Sequence, residues 1–126
     1  MYIVRWFEKN RGISWLVTVI IAVLIFYISS LTFPAGGGTG YLSYIYHFTV
    51  FSYLALFLLI SITKGKKSKS LLILGVVLAI IYGISDEIHQ YFVPGRYSSF
   101  KDILINSIGV LIISIGYINY CNVKPE

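Results

Sequence analysis

The residues best suited to chemistry in this sequence lie close together in its second half. Residues 85–96 read Ser-Asp-Glu-Ile-His-Gln-Tyr-Phe-Val-Pro-Gly-Arg, and Asp102 and Asn106 follow them. A histidine, His47, lies earlier in the chain. Carboxylates and imidazoles can act as general acids and bases, and a guanidinium binds phosphate or carboxylate in a bidentate manner. The pattern therefore predicts a polar site for acid–base chemistry or anion binding.

Eight residues are the candidates for this site. The catalytic candidates are Glu87, Asp86 and His47, and the binding candidates are His89, Gln90, Arg96, Asp102 and Asn106. Acids and histidines suit a divalent metal by ligand type, but their spacing matches no diagnostic metal pattern, so no metal site is predicted, and the sequence leaves the cofactor unknown. No zinc-protease, nucleophile-elbow or P-loop motif is present. A purely structural acid pair, buried between helices or matched to Arg96, is the alternative interpretation.

The elements that must position these residues are four apolar spans. No Asp, Glu, Lys or Arg occurs between Arg11 and Lys64, a stretch too long for one crossing of about 20 residues. Proline and glycines at 34–40 divide it. The predicted spans are about 13–33, 41–63, 70–93 and 100–120, which predicts an all-α, integral membrane four-helix bundle that forms a single domain.

Composition supports this class of protein. Of 126 residues, 57% are hydrophobic and only 12% are charged, which excludes a disordered chain and disfavours a small soluble domain. The single cysteine excludes an intrachain disulfide. The expected location is the cell membrane, as a multi-pass protein, with membrane lipid as a partner. The composition does not specify an oligomeric state.

The net charge of +5 follows from membrane topology. Eight of the ten basic residues lie at the N-terminus, in the loop 64–69 and at Lys124, whereas only Arg96 and Lys101 lie on the other side. Because cytoplasmic loops collect Lys and Arg, both termini are predicted to be cytoplasmic. The basic residues flank the spans and do not form a nucleic-acid groove, so no nucleic-acid partner is predicted.

Counting residues along the helices places the candidates at similar depth in the outer half. At 1.5 Å per residue, Asp86 lies ~12 Å and His89 ~7.5 Å below Pro94, and His47 lies ~9 Å below Tyr41. Residues three or four apart share a helix face, so Asp86, His89 and Gln90 are expected to form one stripe. We therefore expect three spans to bring their polar residues into one pocket.

The same residues resemble the VanZ-like family over nearly the whole chain. The series of residues 85–96, then Asp102 and Asn106-Ser-Ile-Gly109, is similar to that family's main motif. Its two earlier motifs are matched by Ser29-Ser30 and His47-Phe48, and one departure is Ser43-Tyr44, where many members have Asp-Lys. The resemblance places His47, Glu87, Gln90, Arg96, Asp102 and Asn106 at motif positions. It implies a small bacterial membrane protein, and the founding member is linked to resistance to the glycopeptide teicoplanin.

Two hypotheses of function follow. In the first, the outer-leaflet site binds a lipid headgroup, a lipid-linked cell-wall precursor or a glycopeptide antibiotic, and contributes to glycopeptide tolerance. In the second, a membrane-embedded enzyme uses Glu87 or Asp86 as acid or base and a histidine as proton relay. Arg96 would then hold a lipid-linked phosphate or acyl substrate.

Overall fold

The computed structural model describes residues 2–32 and 40–123, and every regular element in them is an α-helix. The five helices are α1 (Tyr2–Lys9), α2 (Arg11–Ser29), α3 (Tyr41–Thr63), α4 (Lys69–Phe92) and α5 (Phe100–Val123). Helices α2 to α5 are each long and apolar enough to cross a membrane. The predicted all-α class, with four helices long and apolar enough to span a membrane, is confirmed.

Helices α3 and α4 begin and end within one residue of the predicted spans, and α5 continues three residues beyond the predicted end at 120. The largest difference is in the first span, which was expected to continue to residue 33 but ends at Ser29. The hydroxyl of Ser30 donates to the carbonyl of Phe26 at 2.8 Å, and the Leu31 N–H bonds to Ile28 O in a tighter turn. These bonds use the last carbonyls of the helix and end it. The predicted turn at residues 34–39 and the basic residue Lys124 lie outside the described residues.

Helix α3 occupies the centre of the bundle, because it packs against each of the other four helices. Its buried side chains Phe51, Leu54 and Ala55 form the main core with Ala79 of α4 and Val110 of α5. Many large apolar side chains instead face outward; Val23, Ile73 and Ile112, for example, are each more than half exposed. A bundle that is apolar on its outside as well as its inside is suited to a lipid environment.

Helices α3 and α5 approach each other most closely at Gly109. A Cβ added there would lie 2.7 Å from the carbonyl oxygen of Phe48 and 2.9 Å from Ser52 Oγ. Small residues permit this kind of close helix contact within membranes. The contact lies one turn from Asn106 and beside His47, so it sets the distance between two of the candidate site residues.

The two ends of the bundle differ in charge. We call the end that carries the loop 64–69 the lysine end, and the end that carries the turn before α5 the arginine end, after Arg96. The ammonium group of Lys67 donates to the carbonyl of Asn122 at 3.4 Å, which places the end of α5 beside the lysine loop. This separation follows the predicted charge distribution. The cytoplasmic placement of the termini stays a prediction of the charge rule.

Helix α1 was not predicted and packs at the lysine end. Its Glu8 is buried and accepts a hydrogen bond from the hydroxyl of Tyr117 at 3.1 Å. The same hydroxyl lies 2.9 Å from Thr63 Oγ1, so one tyrosine joins α1, α3 and α5. Ser14 at the start of α2 donates to the carbonyl of Phe7 at 2.6 Å. These polar contacts hold a short helix that has no long apolar run.

Candidate functional site

Most of the predicted site residues gather at the arginine end. His47 comes from the second turn of α3, and the acids and Gln90 come from the last turns of α4. Arg96 lies in the turn that follows, and Asp102 and Asn106 lie in the first two turns of α5. Six of the eight are buried: His47, Asp86, Glu87, Gln90, Asp102 and Asn106. Arg96 is half-buried, and His89 points elsewhere.

His47 is held between an amide and a carboxyl group. Its Nδ1 lies 3.0 Å from Asn106 Oδ1 and 3.8 Å from Glu87 Oε1. An amide oxygen can only accept, so this bond places the imidazole proton on Nδ1 and leaves Nε2 as the unprotonated nitrogen. The three side chains are each at most 2% exposed. They form a histidine with a fixed orientation beside a carboxyl group, which is a common arrangement for moving a proton or binding a cation.

Glu87 is only partly hydrogen-bonded. Its Oε2 accepts from the backbone N–H of Ser99 at 3.2 Å. Its Oε1 has no hydrogen-bond partner among the described residues, and neither do Asp102 Oδ1, Asn106 Nδ2 and the hydroxyl of Tyr46. Buried polar atoms are nearly always paired, so exceptions that cluster in one place need an explanation, and a ligand, water or ion supplies one.

Asp86 lies beside this group and is fixed by two donors. Ser29 Oγ donates to its Oδ1, and the amide of Gln90 donates to its Oδ2 at 3.0 Å. The Gln90 amide also lies 3.3 Å from Ser29 Oγ, so α2 and α4 share one small network. His47, Asp86 and Glu87 each have one nitrogen or oxygen atom that could bind a metal, and these three atoms lie within 4.8 Å of one another. The two acids and the histidine therefore face a common point.

A cavity of about 460 Å³ opens in front of these residues. It lies between the start of α3, the end of α4 and the start of α5. Its polar lining consists of Ser43, Tyr44, Tyr46, His47, Gln90, Arg96, Tyr97, Ser99 and Asp102. The volume falls within the range of small-molecule sites, about 300–1,000 Å³. The cavity wall includes His47, but Asp86, Glu87 and Asn106 lie behind it.

His89 does not join this group. Its Nε2 lies 2.9 Å from Ser30 Oγ, and its ring stacks on Phe26 with ring centres 4.4 Å apart. Asp86 and Gln90 also contact α2, through Ser29, so the expected stripe of Asp86, His89 and Gln90 is present, and His89 lies on the side of it away from His47. Sequence reasoning grouped the three because residues three and four apart share a broad face.

Several contributors were missed in the predicted set. Ser29 was noted only as a motif position, yet it binds Asp86 directly. Ser99 was expected to be a turn or cap residue, and its carbonyl does begin α5, but its N–H also binds Glu87. Tyr46 lines the cavity and contacts the ring of His47 edge-on, with ring centres 5.5 Å apart. A serine in the apolar last turn of a span was the available signal for Ser29.

Comparison with known proteins gives one match. A family model described as VanZ/LLP1 matches residues 14–121. Neither the curated proteins nor the solved structures contain a match. The matched segment includes all four membrane-spanning helices apart from a few terminal residues, and every residue of the site described above.

Proposed function

The chain belongs to the VanZ/LLP1 family, and we propose that it binds the phosphate-bearing headgroup of a membrane lipid or of a lipid-linked cell-wall precursor. The observation that carries this proposal is the cavity at the arginine end, with Arg96 and His47 in its wall. We further propose that the protein resides in the cell membrane with this end in the outer leaflet, as the charge rule predicts.

Arg96 is the group suited to hold the phosphate. A guanidinium presents several N–H donors in a planar fork that matches phosphate oxygens. Arg96 lies next to the Pro94-Gly95 turn, where a membrane-spanning helix has just ended. The phosphates of lipids lie at this level of a bilayer, so a headgroup can reach Arg96 without entering the bundle deeply.

The surroundings of the cavity suit a molecule with an apolar tail. Tyr41, Leu42, Tyr97 and Phe100 lie at this end and are each more than two-thirds exposed. Leu42 and Tyr97 also line the cavity. Tyrosines anchor proteins at the membrane interface, where one side of the ring meets lipid and the hydroxyl meets water. A headgroup in the cavity would leave its acyl or prenyl chain against this apolar rim.

The family resemblance connects the proposal with glycopeptide tolerance. Glycopeptide antibiotics act on cell-wall precursors, and a protein that shields or sequesters a lipid-linked precursor at the outer leaflet would lower their access. Capture of the glycopeptide itself in the same cavity is the other ligand that the resemblance implies. Both routes predict that tolerance depends on the residues in the cavity wall.

The test replaces the proposed anion-binding residue. Arg96→Ala should lower co-purification of phosphate-bearing lipid, measured by mass spectrometry of the protein in detergent, by at least about tenfold. Lys101→Ala is the matched control, because Lys101 is an exposed cation at the same end. In cells, Arg96→Ala should abolish any teicoplanin tolerance at unchanged membrane levels. Equal lipid retention and equal tolerance in the variant and the wild-type protein would refute the proposal.

A membrane-embedded enzyme is the second candidate function. The observation that favours it is the alignment of Glu87, His47 and Asn106, in which an amide orients the histidine beside a carboxyl group. That arrangement can activate a water or hydroxyl group for attack on a lipid-linked phosphate or ester. Glu87→Gln should stop turnover of labelled lipid precursors and spare their binding. Precursors left unmodified by the wild-type protein, with and without divalent metals, would exclude this candidate.

A further inference from the structure

We propose that His47, Asp86 and Glu87 form a binding site for one divalent transition-metal cation, of the zinc or manganese class. His47 belongs to the cavity wall and the two acids lie behind it, so the site adjoins the cavity. Metal binding there is a property additional to headgroup binding. It contradicts the expectation from sequence that no metal site is present. It does not rest on the proposed function, because the evidence comes from the three side chains and their partners.

The three side chains have a geometry close to coordination. One ligand-type atom from each lies within 4.8 Å of the others. Bonds to zinc of about 2.0–2.2 Å in tetrahedral geometry hold ligand atoms ~3.3–3.6 Å apart. Closing the site therefore requires the most distant pair of ligand atoms to approach by up to ~1.5 Å, which side-chain rotations can supply. Since His47, Asp86 and Glu87 are 2%, 4% and 1% exposed, the site is almost completely enclosed by protein.

Glu87 supplies independent evidence for a ligand. Its Oε1 is buried without a hydrogen-bond partner in the described part of the chain, and it points towards His47 at 3.8 Å. A carboxylate oxygen in this position would be expensive to leave unpaired. A cation bound between Glu87 and His47 would pair it.

Two of the three proposed ligands are also held by a second group. The ring nitrogen that faces Glu87 Oε1 is Nδ1 of His47, which also lies 3.0 Å from Asn106 Oδ1, so a metal bound between Glu87 and His47 would take the place of the Asn106 bond. Ser29 and Gln90 donate to Asp86, and the Ser99 N–H donates to Glu87. Ligands in metal sites are typically oriented by such outer partners.

The local charges favour a cation as well. Asp86, Glu87 and Asp102 are three buried carboxyl groups at the arginine end, and Arg96 is the one guanidinium near them in the described residues. If all three carboxyl groups are ionised, their negative charge exceeds the positive charge of Arg96 by two. A divalent cation balances that excess and lets the cavity bind an anionic headgroup without charge repulsion. Protonation of the carboxyl groups would also remove the excess charge, and metal binding distinguishes the two cases.

One imidazole with two carboxylates indicates the type of metal. Imidazole suits zinc and other transition metals, whereas magnesium prefers oxygen ligands alone and retains its waters. Three protein ligands leave at least one coordination position for water or a phosphate oxygen from the cavity side. The site is therefore expected to select zinc or manganese over magnesium.

The experiment uses the full chain, without a histidine tag, purified in detergent and freed of metal by chelation. Titration calorimetry with Zn²⁺, Mn²⁺ and Mg²⁺ in separate runs should show one saturable site for Zn²⁺ or Mn²⁺ and at least tenfold weaker binding of Mg²⁺. Glu87→Gln is nearly isosteric and should weaken binding at least tenfold. Glu8→Gln, the same change in a buried acid at the lysine end, should keep it.

The histidines give a second matched pair. His47→Ala should lose the metal, whereas His89→Ala should keep it because His89 contacts Ser30 and Phe26 outside the cluster. Thermal unfolding in the presence of chelator verifies that each variant is folded. If His47→Ala does not fold, the metal affinity of Glu87→Gln alone tests the proposal. Absence of saturable Zn²⁺ and Mn²⁺ binding, or binding unchanged by Glu87→Gln, overturns the proposal. Because no lipid is added, this result is independent of lipid retention by the Arg96→Ala variant.

Discussion

Replacement of Gly109 by alanine should loosen the contact between α3 and α5 and disturb the candidate site at the same time. The added Cβ would lie 2.7 Å from Phe48 O and 2.9 Å from Ser52 Oγ, where ordinary contact begins at 3.4 Å. The Phe48 carbonyl belongs to the helix backbone and accepts a hydrogen bond from Ser52 at 2.7 Å. Neither atom can move away alone, so the two helices must separate by roughly 0.7 Å.

The expected cost follows from two opposing effects. Overpacking of a tight contact typically costs about 1–3 kcal/mol. Alanine in place of glycine inside a helix returns roughly 0.5–1 kcal/mol. The net loss should therefore be about 0–2.5 kcal/mol, centred near 1 kcal/mol. Each kcal/mol should lower the unfolding temperature by roughly 3–6 °C for a chain of this length. The same separation would lengthen the His47–Asn106 hydrogen bond from 3.0 Å to beyond ordinary bonding distance.

Two other glycines provide a graded control for this prediction. At Gly116, on the same helix, nothing lies within 4 Å of an added Cβ, so Gly116→Ala should be neutral or slightly stabilising. At Gly75 the nearest atom is the end of the flexible Leu59 side chain, 2.6 Å away, so Gly75→Ala should have an intermediate effect. Thermal unfolding in detergent measures all three. If Gly109→Ala is as stable as Gly116→Ala and binds lipid equally well, the packing argument is wrong.

Two further substitutions test the polar networks at the two ends of the bundle. Tyr117→Phe removes the hydroxyl that joins Thr63 to α1 and should lower stability by about 1–3 kcal/mol, whereas Tyr53→Phe, at an exposed tyrosine, should have little effect on the unfolding temperature. Ser29→Ala removes the hydroxyl donor to Asp86 and should weaken ligand or metal binding severalfold with an intact fold, as measured by calorimetry and circular dichroism; unchanged affinity would show that Ser29 does not position Asp86.

The spans could be predicted from sequence because hydropathy and helix-breaking residues act locally. The bounds of α3 are those expected, since a glycine-rich segment precedes Tyr41 and a lysine run follows Thr63. The end of α2 was not predictable in the same way, because side-chain and backbone bonds at Ser30 decide it. Helix α1 was missed because the contacts that hold it, such as the hydrogen bond from Tyr117 to Glu8, join residues up to 109 positions apart in the chain.

The depth of the site residues was predictable, but the direction of each side chain was only partly so. Depth follows from a fixed rise per residue, which is why His47 and the acids of α4 lie at one level. Direction depends on how a helix is rotated against its neighbours. At about 100° per residue, His89 lies ~60° to one side of Asp86 and Glu87 lies ~100° to the other. Asp86 and His89 therefore both contact α2, whereas Glu87 turns towards His47 and Ser99.

The two polar networks differ in a way that bears on function. At the lysine end, the Tyr117 hydroxyl bonds to both Thr63 and Glu8, as expected for polar groups that hold helices together. At the arginine end, one side-chain atom each of Glu87 and Asn106 is buried and has no hydrogen-bond partner among the described residues. A network that only stabilised the fold would gain from pairing these atoms, and polar groups are expensive to keep inside a membrane protein. Their arrangement around one cavity is therefore better explained by a ligand than by packing.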